Sequence, residues 1–142
     1  MEKPHKRLDA WKLSMDLAIE IYNETDKFPN HERYGLIDQI RRAAISIPSN
    51  IAEGAARHTR KEFMNYLHIA QASLSELDTQ VELATRLSYI DENRRGIVNA
   101  RMDRIDKTIT GLIRHLGKKM KRAVRHPLPL TAYPLRGYSE RN

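Results

Sequence analysis

The chain has 142 residues, a hydrophobic content of 40% and a formal net charge of +7, which together predict one domain with its own apolar core. It contains no cysteine, so disulfides, thiolate metal sites and cysteine nucleophiles are excluded. The first residues lack the apolar core of a signal peptide, and no apolar run approaches membrane-spanning length. We therefore expect a soluble cytoplasmic protein.

The first predicted helix runs from about Leu8 to Thr25 and is apolar on two sides. One stripe at helical spacing is Leu8, Trp11, Met15, Ala18 and Tyr22. Further apolar residues outside that stripe include Leu13, Leu17 and Ile21. An outer helix of one bundle cannot bury both sides, so either the helix is central or its second face meets another subunit. We predict the second case, with Leu13, Leu17 and Ile21 in the oligomer interface.

The second predicted helix, from about His31 to Ala55, carries Pro48 in the middle of its apolar stripe. That stripe is Ile37, Ile40, Ala44, Ile47 and Ile51. A proline in a helix interior removes one backbone hydrogen bond and costs about 3 kcal/mol. Because the stripe continues past the proline, we predict a kinked helix that is stabilised by tertiary packing.

The third predicted helix starts at a capping box, Thr59 to Glu62, in which the hydroxyl accepts from the amide three residues later. Its apolar residues then recur at alternating steps of four and three: Phe63, Leu67, Ala70, Leu74, Leu77, Val81, Ala84 and Leu87. Such a sustained seam predicts antiparallel helical neighbours at shallow crossing angles.

The fourth predicted helix follows a short link with Asp91 as its N-cap and continues the seam to about Arg122. Its apolar positions are Val98, Met102, Ile105, Ile109, Leu112, Leu116 and Met120. The sequence therefore predicts an all-α, up-down-up-down antiparallel four-helix bundle at residues 8–121. A flexible N-terminus, residues 1–7, precedes it, and a basic, proline-rich tail, residues 122–142, follows it.

The central block of the chain resembles a known family. The segments Glu32-Arg-Tyr-Gly-Leu36, Gln39-Ile-Arg-Arg-Ala-Ala44 and Ser46-Ile-Pro-Ser-Asn-Ile-Ala-Glu-Gly54 are similar to those of the four-helix-bundle proteins encoded in intervening sequences of bacterial 23S ribosomal RNA genes. Glu62-Phe63, Leu67-His-Ile-Ala70 and the opening Leu8-Asp-Ala-Trp11 also resemble that family. The similarity covers roughly residues 8–120.

The resemblance implies a bundle that assembles as a ring-like homopentamer. It also implies a relation to the accessory variability proteins of diversity-generating retroelements, which bind a reverse transcriptase and nucleic acid through a basic surface. For the intervening-sequence branch itself, the resemblance implies no biochemical activity. The segment from Ser46 to Gly54 is therefore interpreted as architecture rather than as an active site.

Catalytic chemistry finds little support in the pattern. A di-iron bundle needs inward-facing Glu-x-x-His pairs, and that spacing occurs only at Glu2 and His5, before the first helix. Glu20 and Glu24 are spaced for acid–base work, but a solvated helix face is the better explanation of them. No nucleophile, base and orienting group come together. We expect a protein that is not an enzyme and that has no catalytic, cofactor-binding or metal site.

Nucleic-acid binding has more support. From Lys107 to Arg136 the chain has eight basic residues and no acidic residue, which is typical of a surface that binds a polyanion. The candidate phosphate-binding residues on the fourth helix are Arg114, Lys118, Lys119, Lys121, Arg122 and Arg125. A second cluster, Arg57, Arg60 and Lys61, begins the third helix. The alternatives are that the first group only favours a helix C-terminus, and that Glu53 and Glu62 neutralise the second.

The sequence thus predicts a non-enzymatic, oligomeric adaptor that binds RNA or DNA through phosphate contacts and needs no cofactor. The alternative is a protein-interaction scaffold, for example one that holds a reverse transcriptase. A third possibility is a structural bundle whose charge serves only solubility.

Overall fold

The computed structural model describes the backbone of residues 2–125 and the side chains of residues 2–123. It contains four long helices: α1, Asp9–Thr25; α2, Leu36–Ala55; α3, Arg60–Arg86; and α4, Glu92–Arg125. Two short 3₁₀ helices, Pro4–Arg7 and Asn30–Glu32, precede α1 and α2. Within the described residues there is no strand, and the predicted all-α four-helix bundle is confirmed.

The helices form a ring of antiparallel neighbours, in the order α1, α2, α3, α4 and back to α1. Arg41, early in α2, donates to Thr25 at the end of α1 over 2.8 Å. Gln71 of α3 donates to Thr110 of α4 over 3.0 Å, and Arg94 contacts Glu24 across α1 and α4. The first and last of these contacts join an early residue of one helix to a late residue of its neighbour, and the second joins two central residues. This is the geometry of an up-down-up-down bundle.

Sequence signals set where the helices begin. The Thr59 side chain accepts from the Glu62 amide over 3.1 Å at the start of α3, as the capping box predicts. Asp91 accepts from the Arg94 amide over 2.7 Å at the start of α4, so its predicted role as N-cap is also confirmed. The predicted second helix begins later than expected, because residues 30–35 form the 3₁₀ helix and a turn before Leu36.

Helix α2 continues through Pro48, whose side chain is buried. Two residues on, the Asn50 amide donates to the Ser46 carbonyl over 2.8 Å and to the Ser46 hydroxyl over 2.9 Å. That hydroxyl is in turn 2.8 Å from the hydroxyl of Ser73 on α3. Packing and side-chain hydrogen bonds therefore surround the proline, as expected for a helix that retains it at a cost.

The predicted seams of α2, α3 and α4 form the core. Ile40, Ile47 and Ile51 meet residues such as Phe63, Leu67 and Leu77 of α3 in one buried apolar cluster. Val98, Ile105, Ile109 and Leu116 complete it from α4, and each is at most 1% exposed. For these three helices the apolar period identified the buried face correctly, except that Leu87, predicted in the α3 seam, lies just past the helix and is 46% exposed.

The predicted faces of α1 are wrong. Leu17 and Ile21, which we expected in an oligomer interface, are each 1% exposed and belong to the core, and Leu13 is half-buried against it. The exposed apolar residues are instead Met15, Ile19 and Tyr22, with Trp11 half-buried beside them. Core contact is made by a narrower set that includes small residues: Ala10, Ser14, Leu17, Ala18 and Ile21. Helix α1 does have a second apolar face, but that face carries Met15, Ile19 and Tyr22 and lies opposite the predicted one.

The two ends of the bundle also differ from the prediction. Residues 1–7 were expected to be flexible, but Pro4–Arg7 form a 3₁₀ helix that contacts α1 and α2. Helix α4 runs four residues past the expected boundary at residue 121, to Arg125. The rest of the predicted proline-rich tail lies outside the described residues. No helix in residues 2–125 is both long enough and apolar enough to cross a membrane.

Candidate nucleic-acid interface

The antiparallel topology brings both predicted basic clusters to one end of the bundle. The N-termini of α1 and α3 and the C-termini of α2 and α4 lie there, because each helix reverses direction relative to its neighbours. Gly117 of α4 lies opposite Met64 of α3, as a Cβ built on the glycine is 3.8 Å from the Met64 methyl group. At about 1.5 Å of rise per residue, Lys121 is therefore level with the first turn of α3. We call this end of the bundle the basic pole.

The most exposed cations at the basic pole lie on α4. Arg114, Lys118, Lys121 and Arg122 are all exposed. Their positions on the helix place them opposite Ile109 and Leu116, which point into the core. None of these four side chains forms an ion pair or hydrogen bond within the described part of the chain. We call these four residues the α4 ridge.

Two other predicted residues of α4 do not join this ridge. Lys119 is half-buried and already takes part in an interaction, because its position on the helix turns it toward the core flank. The side chain of Arg125 lies outside the described residues, although the backbone of α4 extends that far. Arg125 therefore remains a sequence prediction.

The second predicted cluster is more strongly engaged with the protein. Arg57 donates to the Tyr66 hydroxyl, its guanidinium lies 4.7 Å from the centroid of that ring, and Glu53 is 3.9 Å away. Arg60 is half-buried and has a partner of its own, whereas Lys61 is exposed. Arg57 and Lys61 thus face solvent at the basic pole, but only Lys61 is without a described partner. Neutralisation of the cluster by Glu53 and Glu62 stays a prediction; of the two carboxylates, Glu53 lies within ion-pair distance of Arg57.

The sequence analysis missed a third group of cations at the same pole. Lys3 is the N-cap of the N-terminal 3₁₀ helix and Lys6 lies within it; both are exposed and precede α1 at the end where α4 finishes. The pKa of His5 between them is lowered, first by burial and then by the positive charges of Lys6 and Lys3. Its ring packs edge-on against Trp11 at 5.1 Å, which orders this segment on the bundle. The lysines in the first seven residues could have indicated this group, but those residues were expected to be flexible and were not considered as part of a binding surface.

At the opposite end, the charges of α1 and α4 are paired. Arg94 donates to Glu24 over 2.5 Å and to Glu20 over 2.8 Å, and Glu24 is only 4% exposed. These hydrogen bonds, that to Glu24 most of all, raise the pKa of Arg94. Arg101 adds an ion pair to Glu20 over 2.7 Å, without hydrogen-bond alignment. Glu20 and Glu24, whose spacing would also suit acid–base chemistry, therefore link α1 to α4 through ion pairs with arginines.

A groove runs between the outer sides of α1 and α2. It encloses about 410 Å³, and its lining is mainly apolar. The residues that line it are Trp11, Met15, Ala18, Ile19, Tyr22, Asn23, Ile45, Pro48, Ser49 and Ala52. At its far end Arg41 lies 4.4 Å from the centroid of the Tyr22 ring and binds Asp26 over 3.0 Å. Arg41 therefore makes a structural contact between α2 and the end of α1.

Within the described residues, no group of three or more histidine, aspartate and glutamate side chains is arranged to hold a metal ion. An acidic groove does lie between α3 and α4, with Asp78, Asp103 and Asp106 among the residues that line it. It lies toward the middle of the bundle, apart from the α4 ridge.

Comparisons with known proteins agree with the fold. A family model described as 23S rRNA-intervening sequence protein matches residues 6–111. A solved structure of a protein with unknown function from the S23 ribosomal protein family of Bacteroides thetaiotaomicron VPI-5482 is similar, with a TM-score of 0.69 and 27% identity. The similarity covers 74% of this chain and 95% of that one. No curated protein matches the chain.

Proposed function

The chain belongs to the family of 23S rRNA-intervening sequence proteins, and we propose that it is a non-enzymatic, oligomeric adaptor that binds nucleic acid at its basic pole. The observation that carries the proposal is the α4 ridge, whose exposed cations have no partner within residues 2–123. A cation that is already paired with a carboxylate of the protein must lose that ion pair to bind a phosphate, so it contributes little net affinity. Unpaired cations instead release counterions from the phosphates, which is the main source of non-specific affinity.

The distribution of charge along the molecule supports this choice of surface. At the opposite end, arginines such as Arg94 and Arg41 bind carboxylates of the same chain. At the basic pole, α4 has no acidic residue after Asp106. A polyanion that approaches the molecule is therefore attracted to one end, and this steering increases the rate of association at low salt.

We also propose that the chain assembles as a homo-oligomer, and as a pentamer on the resemblance to its family. Support comes from exposed apolar side chains on two different sides of the bundle. Ile19 is 59% and Ile45 43% exposed at the α1–α2 groove, and Leu83 near the end of α3 and Leu87 just past it are 49% and 46% exposed. Two different surfaces allow a head-to-tail contact, which generates a ring when the rotation closes. A ring repeats the basic pole, so weak phosphate contacts add through multivalency.

The proposed binding surface can be tested with two variants of equal net charge. The first neutralises the ridge with Lys118→Gln, Lys121→Gln and Arg122→Gln. The control carries Arg33→Gln, Arg42→Gln and Arg104→Gln, three exposed positions away from the basic pole. By fluorescence anisotropy at low salt, we expect the ridge variant to lose about tenfold or more in affinity for RNA or DNA, and the control to lose much less. Equal losses would show that only net charge matters.

The α1–α2 groove supports a second candidate function, that of a protein-interaction scaffold. Its apolar lining and its rings, Trp11 and Tyr22, are typical of surfaces that bind proteins. A reverse transcriptase is the partner that the family resemblance suggests. If a neighbouring gene encodes one and the two proteins copurify when nuclease has removed nucleic acid, the scaffold is favoured over the nucleic-acid adaptor.

A further inference from the structure

We infer that the ligand of the basic pole is a base-paired duplex rather than a single strand, an inference that rests on the proposed function. The two kinds of nucleic acid need different protein surfaces. Single strands are bound by exposed aromatic rings on which bases stack, next to a cationic groove. A duplex hides its bases and presents regularly spaced phosphates, so cations alone are sufficient.

In the described part of the chain, no tryptophan, tyrosine or phenylalanine ring offers an open stacking surface beside the α4 ridge; the exposed rings there are the smaller imidazoles of His58 and His115. Phe63 is buried, and Tyr66, the nearest tyrosine in α3, is half-buried with Arg57 lying over its ring. Trp11 is half-buried and packs against His5. The most exposed ring is that of Tyr34, at 91%, and it precedes α2 at the opposite end of the bundle. The surface thus has the charge that a single strand needs, without an open tryptophan, tyrosine or phenylalanine ring on which bases stack.

The shape of the ridge fits a regular phosphate backbone. Arg114, Lys118 and Lys121 or Arg122 are separated by three or four residues along one uninterrupted helix. At about 1.5 Å per residue these steps are roughly 4.5–6 Å, which gives a straight row of cations with fixed separations. The phosphates of a duplex strand are also held at fixed separations. A flexible single strand would have to lose conformational entropy to match the same row.

A second group of cations lies across the basic pole from the first. Arg57, just past the end of α2, the helix diagonal to α4, also contacts Tyr66 and lies 3.9 Å from Glu53, whereas Lys61, in the first turn of α3, has no partner within the described residues. Cations on two separated sides of the pole can contact phosphates on the two strands of a duplex, which a single strand cannot offer in a fixed geometry. Contacts to phosphates carry no sequence information, so we expect binding through the ridge that does not depend on sequence.

The experiment compares ligands with the same number of phosphates. The full chain is titrated with an RNA duplex and a DNA duplex of about 20 base pairs, and with an unstructured single strand of about 40 nucleotides, at one salt concentration. We expect at least one duplex to bind about tenfold more tightly than the single strand, and Tyr34→Ser to leave that ratio unchanged. A single strand that binds as tightly as both duplexes overturns the inference but leaves the proposed function intact. Failure to bind any of the three overturns both.

A further variant tests the aromatic residues beyond the described part of the chain. Tyr133→Ser and Tyr138→Ser remove the two tyrosines of the C-terminal segment. We expect the affinities for duplex and single strand, and therefore their ratio, to be unchanged. If instead the double variant loses most of its affinity for nucleic acid while the ridge is intact, recognition belongs to that segment, and the assignment of a duplex to the ridge is overturned.

Discussion

At the scale of single residues, the closest helix contact depends on Gly54. A Cβ placed there would lie 2.7 Å from Tyr66 Cβ and 3.3 Å from the Phe63 carbonyl oxygen. Neither neighbour is the end of a flexible side chain, so the two helices would have to separate. The segment Ser46–Gly54 was interpreted as structural rather than catalytic. The close contact between α2 and α3 at Gly54 is a structural reason for a glycine in that segment.

We therefore predict that Gly54→Ala lowers the free energy of unfolding by about 1–2 kcal/mol, since overpacking outweighs the better helix propensity of alanine. The matched control is Gly111→Ala, because Gly111 is exposed on α4 with nothing within 4 Å of a built Cβ. That change should raise the stability by up to about 1 kcal/mol. Urea denaturation measures both. A stabilised Gly54→Ala variant would contradict the contact.

At the scale of the element, α1 shows where reading of the sequence succeeds and where it fails. The helix and its two apolar sides were predicted, but a helical period cannot say which of two apolar sides faces the core. Packing decides this: Ala10, Ser14 and Ala18 let the neighbouring helices approach, and Leu17 and Ile21 fill the space between them. The bulky side chains of Met15 and Ile19 remain outside. In α3 and α4 one apolar side dominates, so no such ambiguity arose.

This assignment makes a prediction about the oligomer. Ile19→Ser with Ile45→Ser removes two exposed apolar side chains beside the α1–α2 groove, and we expect the oligomer to dissociate while the monomer stays folded. Light scattering gives the mass, and circular dichroism the helix content. As a contrast, Leu17→Ala should lower the free energy of unfolding by about 2–5 kcal/mol, because Leu17 is buried. An oligomer unaffected by the double change would place the contact elsewhere.

At the scale of the whole molecule, charge is distributed unequally between the two ends of the bundle. The sequence predicted the acid-free stretch of α4 and the cluster near α3. It could not show that antiparallel packing would bring them together with Lys3 and Lys6, since this depends on which helices are neighbours. It also could not show that Arg57 would bind Tyr66 while the α4 ridge has no partner within residues 2–123. The family match ends at residue 111, so the ridge lies beyond the matched residues.

The most direct test of the central claim, that the basic pole binds nucleic acid through phosphates, is a salt titration. The logarithm of the association constant for an RNA or DNA duplex is measured against the logarithm of salt concentration, for the natural chain and for the variant with Lys118→Gln, Lys121→Gln and Arg122→Gln. The account predicts a steep negative slope for the natural chain and a slope shallower by about two to three in the variant, since each lost phosphate contact removes roughly one. Binding insensitive to salt, or identical slopes for the two proteins, would contradict it.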